Sequence, residues 1–548
     1  MSVKLPIFAA VALLSVGGCS PSLKNSALRC SPPECAADTT LALVAEVVPA
    51  ASSPYVAQEL TSIDILANNT FTLQLDPVVT LSGSVTVAGV NNGPVPATVL
   101  ATRPSRISGR PDVVYTATVD PVAGAYSLAV SRNHAGEQYL LTVSPTDATL
   151  VPPMQRTVDA LSDRAVDFAL PDPLTLPQLH GLVVDSFENP IAGVQLQATD
   201  PTSGQVLSTT VTTDATGAFS LRLVANPPST VQLTAVPLAP TTPLTQLPTL
   251  TQAVDTSKLS PTTNALTVNL AMPALPAAIE VSYTVQGTSP SGALTPVAGA
   301  VCVFTTDVTD PLSTMGTKAS YSVTAMSDNT GNVAAAVIPK SNGSRMYSIS
   351  VSPDASSNFQ PQTTSVTVAN ANWGGDITLK LRPQLSGSVV DPNNQPLSSL
   401  TIVPALATLG ENVSAQIYAA LTAPAPTNAD DDGRFAVRLN PGAWDIGIIP
   451  AATSMLPRVW LDKLSVNDSD VVLANPIVLP MGVVVQGSII DSTGLPITSA
   501  DVRIYTVPTA NSSCDSDDLD CLAPARLSAE GTSDTSGMVS VLLPSQPK

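Results

Sequence analysis

A sequence motif recurs about every hundred residues, and that repeat limits what the chain can fold into. "LSGSVTV" begins at Leu81, "LHGLVVD" at Leu179, "IEVSYTV" at Ile279, "LSGSVVD" at Leu385 and "VQGSIID" at Val485. The reference positions Gly83, Gly181, Val281, Gly387 and Gly487 lie 98, 100, 106 and 100 residues apart. A second element follows each: "DPVAGAYSLAV", "DATGAFSLRL", "DNTGNVAAAV", "DDDGRFAVRL" and "DTSGMVSVLL". In these an Asp precedes a Gly, and apolar residues then alternate, as in Phe219, Leu221 and Leu223. Alternation with a period of two marks a strand buried on one face. The Asp can hydrogen-bond the turn backbone and the Gly can take positive φ. A self-similar period of this length means a string of like domains. With 548 residues the chain is too long for one core.

A third element closes each unit: "FTLQLDP", "VDFALPDP", "LTVNLAMP", "ITLKLRP" and "NPIVLP". Its first copy, at Phe71, precedes any first element, and the last unit ends without one. The expected domains are therefore a closing half-module at 40–78, four complete sandwiches at 79–176, 177–275, 276–383 and 384–480, and an opening half or incomplete fifth sandwich at 481–548. Half a sandwich leaves strand edges and core exposed. Three arrangements are compatible with this: a truncated gene product, irregular but self-sufficient halves, or an N-terminal half that completes the C-terminal one, within a chain or between chains.

Composition supports an all-β reading. Charged residues are 12% of the chain and hydrophobic residues 44%, with 51 prolines punctuating Val- and Thr-rich segments. The net charge is −19, from 42 acidic against 23 basic residues, and the bases form no cluster. Nucleic acid is not an expected partner, because polyanion binding needs clustered Lys and Arg.

The N-terminus "MSVKLPIFAAVALLSVGGCSPS" carries Lys4 and then an apolar run too short to span a bilayer. Val16-Gly17-Gly18-Cys19 resembles the bacterial lipobox. The resemblance implies a signal peptide at 1–18, lipidation of Cys19, a tether at 19–39 and a membrane as partner. Ser20 after the cysteine implies the outer membrane of a Gram-negative bacterium. Cys30 with Cys35, and Cys514 with Cys521, are each spaced for a local disulfide in an oxidising compartment. Cys302 aligns with inward-facing Leu196 and Val502 and reads as a buried thiol.

"GLVVDSFENPIAGVQLQA…TTDATGAFSLRL" resembles the carboxypeptidase regulatory-like domain, on Gly181, Asp185, Pro190, Gly193, Asp214, Gly217 and Phe219. The resemblance implies a tandem array of Ig-like or transthyretin-like antiparallel β-sandwiches, non-catalytic, with a fold that sometimes binds carbohydrate. No Gly-x-Ser-x-Gly elbow occurs, and two histidines cannot supply paired-His zinc sites. No enzyme activity and no cofactor are expected.

Three places invite a ligand. Asn428, Asp430 and Asp432 alternate ahead of Gly433 as a calcium loop begins, but the twelfth position is Leu439 where a bidentate carboxylate is needed. Asp515, Asp517, Asp518 and Asp520 form a second acidic loop. Trp460 is the aromatic candidate for a glycan platform, whereas Trp444 alternates with Ile446 and Ile448 and reads as core. The expected function is a lipid-anchored spacer, scaffold or adhesion-type protein of the cell envelope, with envelope proteins as partners. The alternative is a glycan- or peptide-binding surface lipoprotein. Fully extended, sandwiches of roughly 30 Å each would reach on the order of 100–150 Å.

Overall fold

The computed structural model describes residues 29–30, 42–89, 93–185, 188–237, 248–272, 279–308, 317–339, 344–369, 373–407, 425–507 and 524–545. Strands dominate throughout. No helix among the described residues is long and apolar enough to cross a membrane.

Each repeat element becomes a defined strand. The first element is the central strand of one sheet, for example Gln178–Val184. The strand after the Asp-Gly turn, Ala218–Arg222, pairs antiparallel to it. The third element pairs on the other side in parallel, as Leu270–Ala271 does with Val183 and Val184. The sandwiches are thus mixed, with one parallel strand added to an antiparallel plan.

That parallel strand explains the reference glycine. A Cβ on Gly181 would lie 2.1 Å from the Val268 carbonyl oxygen, and one on Gly83 would lie 2.2 Å from the Val166 oxygen. The parallel edge leans in so closely that no side chain fits. In the third sandwich Val281 occupies the slot, and there the parallel strand carries Gly374 opposite Ser282. A Cβ on Gly374 would meet the Ser282 oxygen at 2.6 Å. The missing side chain has moved to the partner strand.

The second sheet keeps one strand order in all five sandwiches. In the first it runs Val113–Thr118, Ala97–Arg103, Tyr139–Pro145, Met154–Val158. In the second it is Val211–Thr212, Val194–Thr199, Thr230–Pro237, Thr249–Asp255. In the third it is Thr317–Met326, Val301–Val308, Arg345–Ser352, Gln362–Val368. In the fourth it is Thr427–Asn428, Thr401–Leu406, Gly442–Ile449, Val459–Val466.

The fifth sandwich is a composite of the two chain regions at 42–75 and 481–545. Its order is Arg526–Thr532, Asp501–Val507, Ala42–Val48, Gln58–Leu60. All seven residues of Ala42–Val48 register antiparallel with Asp501–Val507. The orphan third element, Thr70–Gln74, lies parallel to Gln486–Ile490. Arg29–Cys30 extends that parallel edge beside Gly482 and Val483. The N-terminal half therefore completes the C-terminal half within one chain. Of the described residues buried in this core, Leu43, Ala45, Val47, Ile63, Phe71, Leu73 and Leu75 come from the N-terminal side, and eleven more come from Val483 onward. Burying a side chain such as Phe71 or Leu75 contributes about 1.5–3 kcal/mol.

Completion also changes the shape expected of the array. Arg222 of the second sandwich reaches the Thr149 carbonyl of the first, the second and third share strand pairing, Arg438 of the fourth donates to the Arg382 carbonyl at the end of the third at 2.7 Å, and the composite contacts both the first and the fourth. The sandwiches form a closed cycle, not an extended rod. Between the second and third, Thr249–Gln252 pairs with Thr317–Ser320, so two sheets merge into one of eight strands.

Deleting residues 20–75 should leave the strand edges of 481–545 unpaired. Hydrogen–deuterium exchange of Asp501–Val507 and Gln486–Ile490 should then rise to the level of an open loop, while the second and third sandwiches keep their protection. Unchanged protection of 481–545 would contradict the composite core.

Candidate functional site

The clearest concentration of buried charge lies on the two flanks of the composite sandwich. On the side of the first sandwich, Arg103 donates from Nη1 to Glu59 at 2.9 Å, and both side chains are nearly inaccessible, at 2% and 7%. The Glu59 carboxylate also accepts from the Ser105 hydroxyl at 2.5 Å and from the Arg106 backbone N–H at 3.0 Å. Arg103 completes its donors with the Tyr139 hydroxyl at 3.2 Å and the Pro104 carbonyl at 2.9 Å. Arg106 grips Glu137 with two bonds, at 2.7 and 2.5 Å. That pairing holds Glu137 down to about 2. The Tyr115 hydroxyl donates to the Ala57 carbonyl at 3.0 Å.

Glu46 ties three partners together. It accepts from Arg503 at 3.1 Å and from the Tyr505 hydroxyl at 3.0 Å, both across the seam between the two chain regions. It also accepts from Arg110 of the first sandwich at 3.0 Å. Ile107, 1% exposed, packs with Val44 and Tyr505 beside this cluster.

The opposite flank repeats the device. Arg526 of the composite donates from Nε and Nη2 to Asp445 of the fourth sandwich at 2.8 and 2.6 Å. Asp445 is 2% exposed and also accepts from the Lys463 N–H at 2.9 Å. Arg526 further donates to the Leu406 carbonyl. Its guanidinium lies 5.2 Å from the centre of the Trp460 ring. Arg458 pairs with Glu530 at 2.5 Å.

Trp460 is thereby committed. Its Nε1–H donates to the Leu527 carbonyl of the composite at 3.1 Å. Its ring lies over Gly447, where an added Cβ would come within 2.8 Å. The residue expected as a free glycan platform is a joint between sandwiches. Trp444 is core, 2% exposed, with its N–H on the Asn440 carbonyl at 2.8 Å.

The calcium-like run does not converge on one point. Asp430 Oδ1 accepts from the N–H groups of Asp432 and Arg434 at 3.0 and 2.7 Å. Asp432 pairs with Arg434 on the exposed surface at 3.1 Å. Asn428 Oδ1 accepts from the Thr401 hydroxyl at 3.2 Å. Among the described residues no group of three or more His, Cys, Asp or Glu is placed to hold a metal ion. The same turn geometry recurs at Asp214, which accepts from the Thr216 and Ala218 N–H groups at 2.8 and 3.0 Å. Gly217 and Gly433 beside these turns take φ of 71° and 72°. Hydrogen bonds from neighbouring hydroxyl and backbone N–H groups hold Asp214, Asp328 and Asp534 below the usual carboxylate range.

Cys302 is fully buried, and burial pushes its thiol up to about 11. It is a packing residue, as its slot in the repeat implies. Cys30 lies in the short edge strand of the composite. Cys19, Cys35, Cys514, Cys521, Asp515, Asp517, Asp518 and Asp520 lie outside the described residues.

The charged flanks escaped sequence reasoning. Glu46, Glu59, Arg103, Asp445 and Arg526 are scattered single charges in the chain. The available signal was positional: Glu46, Arg103 and Asp445 fall in or at the end of runs that otherwise read as strands.

No family model matches the chain, and no curated protein matches it in sequence. Solved structures similar to it include a streptococcal ancillary pilin, at 12% identity, covering 56% of this chain and 99% of that one with a TM-score of 0.22. The Bacillus anthracis TIE protein matches at 10% identity over 73% of this chain and 74% of that one, with a TM-score of 0.17. A minor pilin of Streptococcus agalactiae matches at 14% identity over 38% of this chain and 96% of that one, with a TM-score of 0.21. Scores this low carry nothing about function. The all-β tandem-sandwich fold stands on the strand pairing itself.

Breaking a buried ion pair strands a charge and costs about 3–5 kcal/mol, whereas an exposed pair is worth under about 1 kcal/mol. Glu59→Ala should therefore lower stability by about 3 kcal/mol, read by denaturant unfolding. Asp432→Ala, which breaks the exposed pair with Arg434, should change it by less than about 1 kcal/mol. Equal effects of the two substitutions would remove the buried flank from the account.

Proposed function

We propose that this protein is a non-catalytic structural element of the bacterial cell envelope, a lipid-anchored frame of five β-sandwiches that holds or presents other envelope components. The observation that carries this reading is the use made of buried charge. Glu59 with Arg103 and Asp445 with Arg526 join one sandwich to the next, and each pair is braced by further hydrogen bonds within its own module. Such groups fix relative orientation, which a frame needs.

The lipobox resemblance at Cys19 supports attachment through acyl chains, and several chains together make a stable anchor. By that same resemblance Ser20 supports the outer membrane of a Gram-negative bacterium. The engagement of Trp460 at a joint weighs against the glycan-binding alternative. Envelope proteins are the partners this reading favours.

The anchor is tested by metabolic labelling with a palmitate analogue and membrane fractionation of wild type and Cys19→Ser. The expected result is that the substitution abolishes labelling and moves the protein from the membrane fraction to the soluble one. Retained membrane association with no labelled wild-type band would overturn the anchored reading. Protease shaving of intact cells then separates a surface-facing frame, which is cleaved, from a periplasmic one, which is protected until the outer membrane is permeabilised.

A further inference from the structure

We propose that the seam of the composite sandwich is also an interface between copies of this chain, in which each copy donates residues 42–75 to the half-sandwich at 481–545 of a second copy. This goes beyond the proposed function and does not depend on the lipid anchor.

The seam separates two halves that are each packed on a neighbouring sandwich, and the first sandwich also bridges it, where Ile107 packs on Tyr505 and the Ser108 carbonyl accepts from the Ala525 N–H at 2.8 Å. On one side, residues 42–75 pack as a unit with their own first sandwich, through Glu59 with Arg103 and the Tyr115 hydroxyl on Ala57. On the other side, residues 481–545 pack with their own fourth sandwich, through Arg526 with Asp445 and Trp460 on Leu527. Opening the seam therefore leaves each half attached to its neighbour. What it exposes is two complementary surfaces. The acceptor loses the partner of all seven residues of Asp501–Val507 and of Gln486–Ile490. The donor loses the cover of Leu43, Ala45, Val47, Phe71, Leu73 and Leu75.

A second copy fits both surfaces because it carries the same two halves. Every contact across the seam can re-form between chains with identical register, including Arg503 and Tyr505 on Glu46. An unclosed half cannot remain exposed, since its edge and core invite any complementary strand. Exchange of identical elements is a low-cost route to assembly, and its balance against self-closure follows concentration.

The test refolds the full chain from denaturant over a hundredfold range of concentration and measures mass by light scattering after size exclusion. Monomers and dimers are expected together, with the dimer-to-monomer ratio rising about tenfold for each tenfold rise in free monomer. Two single variants, Val47→Cys and Val502→Cys, are then refolded together. These positions are register partners across the seam. A disulfide joining position 47 of one chain to position 502 of another, mapped by mass spectrometry, is the expected result. The double variant Val47→Cys/Val502→Cys, oxidised as the dilute monomer before it is concentrated, is the control, since its intrachain bond should hold the chain monomeric. A chain that stays monomeric across the whole range, or dimers that form undiminished in the locked double variant, would overturn the proposal.

Discussion

An unpaired strand edge is costly, and the whole architecture follows from how this chain removes its edges. A row of free backbone N–H and C=O groups invites pairing with any other strand. The described sandwiches present the same two edges in their second sheets. Between the second and third the edges hydrogen-bond outright. Between the fourth and the composite, the Trp460 indole and the Arg458–Glu530 pair span the gap. The cycle can close because the composite takes strands from both ends of the sequence. Radial repetition of β units is a general way to leave only short, protected edges.

Closure explains the placement of charge. Apolar contact is non-directional and sets no angle between neighbouring sandwiches. Hydrogen-bonded ion pairs do, because Arg geometry is fixed and planar. Arg103 and Arg526 sit on opposite flanks of the composite, the sandwich that closes the cycle. Each makes several hydrogen bonds beyond its ion pair or a second bond within it, which offsets part of the desolvation penalty that an isolated buried charge would carry. The joint between the first and second sandwiches uses neutral acceptors instead: Arg222 donates to the carbonyls of Pro173 and Thr149 at 3.0 and 2.8 Å.

Much of the fold was legible in the sequence. The hundred-residue period placed the strands, and the Asp-Gly pairs placed the turns, since only local chemistry sets them. The reversed order of repeat elements at the two ends pointed to halves in need of partners, and mutual completion was one of three readings. What the sequence could not supply was long-range geometry. Periodicity does not say that Phe71 meets Gly487, where a Cβ would lie 2.2 Å from the ring. Nor does it reveal that third elements pair in parallel, or that sandwiches joined by proline-rich segments turn back on themselves. Asp430 and Trp460 matched ligand patterns by residue type, and the structure shows hydrogen bonds that the sequence does not, to the turn in one case and to the neighbouring sandwich in the other.

Closure of the cycle within a single chain can be measured across the seam. The Tyr55 hydroxyl lies 3.0 Å from the Asp491 carboxylate, although 436 residues separate them. Spin labels placed at the neighbouring exposed positions Ser52 and Ser492 of one chain, diluted until it is monomeric, report the distance directly by pulsed electron resonance. The account predicts one narrow, short distance, on the order of 20–25 Å with label linkers included, against the ~100 Å or more of an extended array. A broad distribution at long distance would mean that the two ends do not share a sandwich, and the closed frame would be wrong.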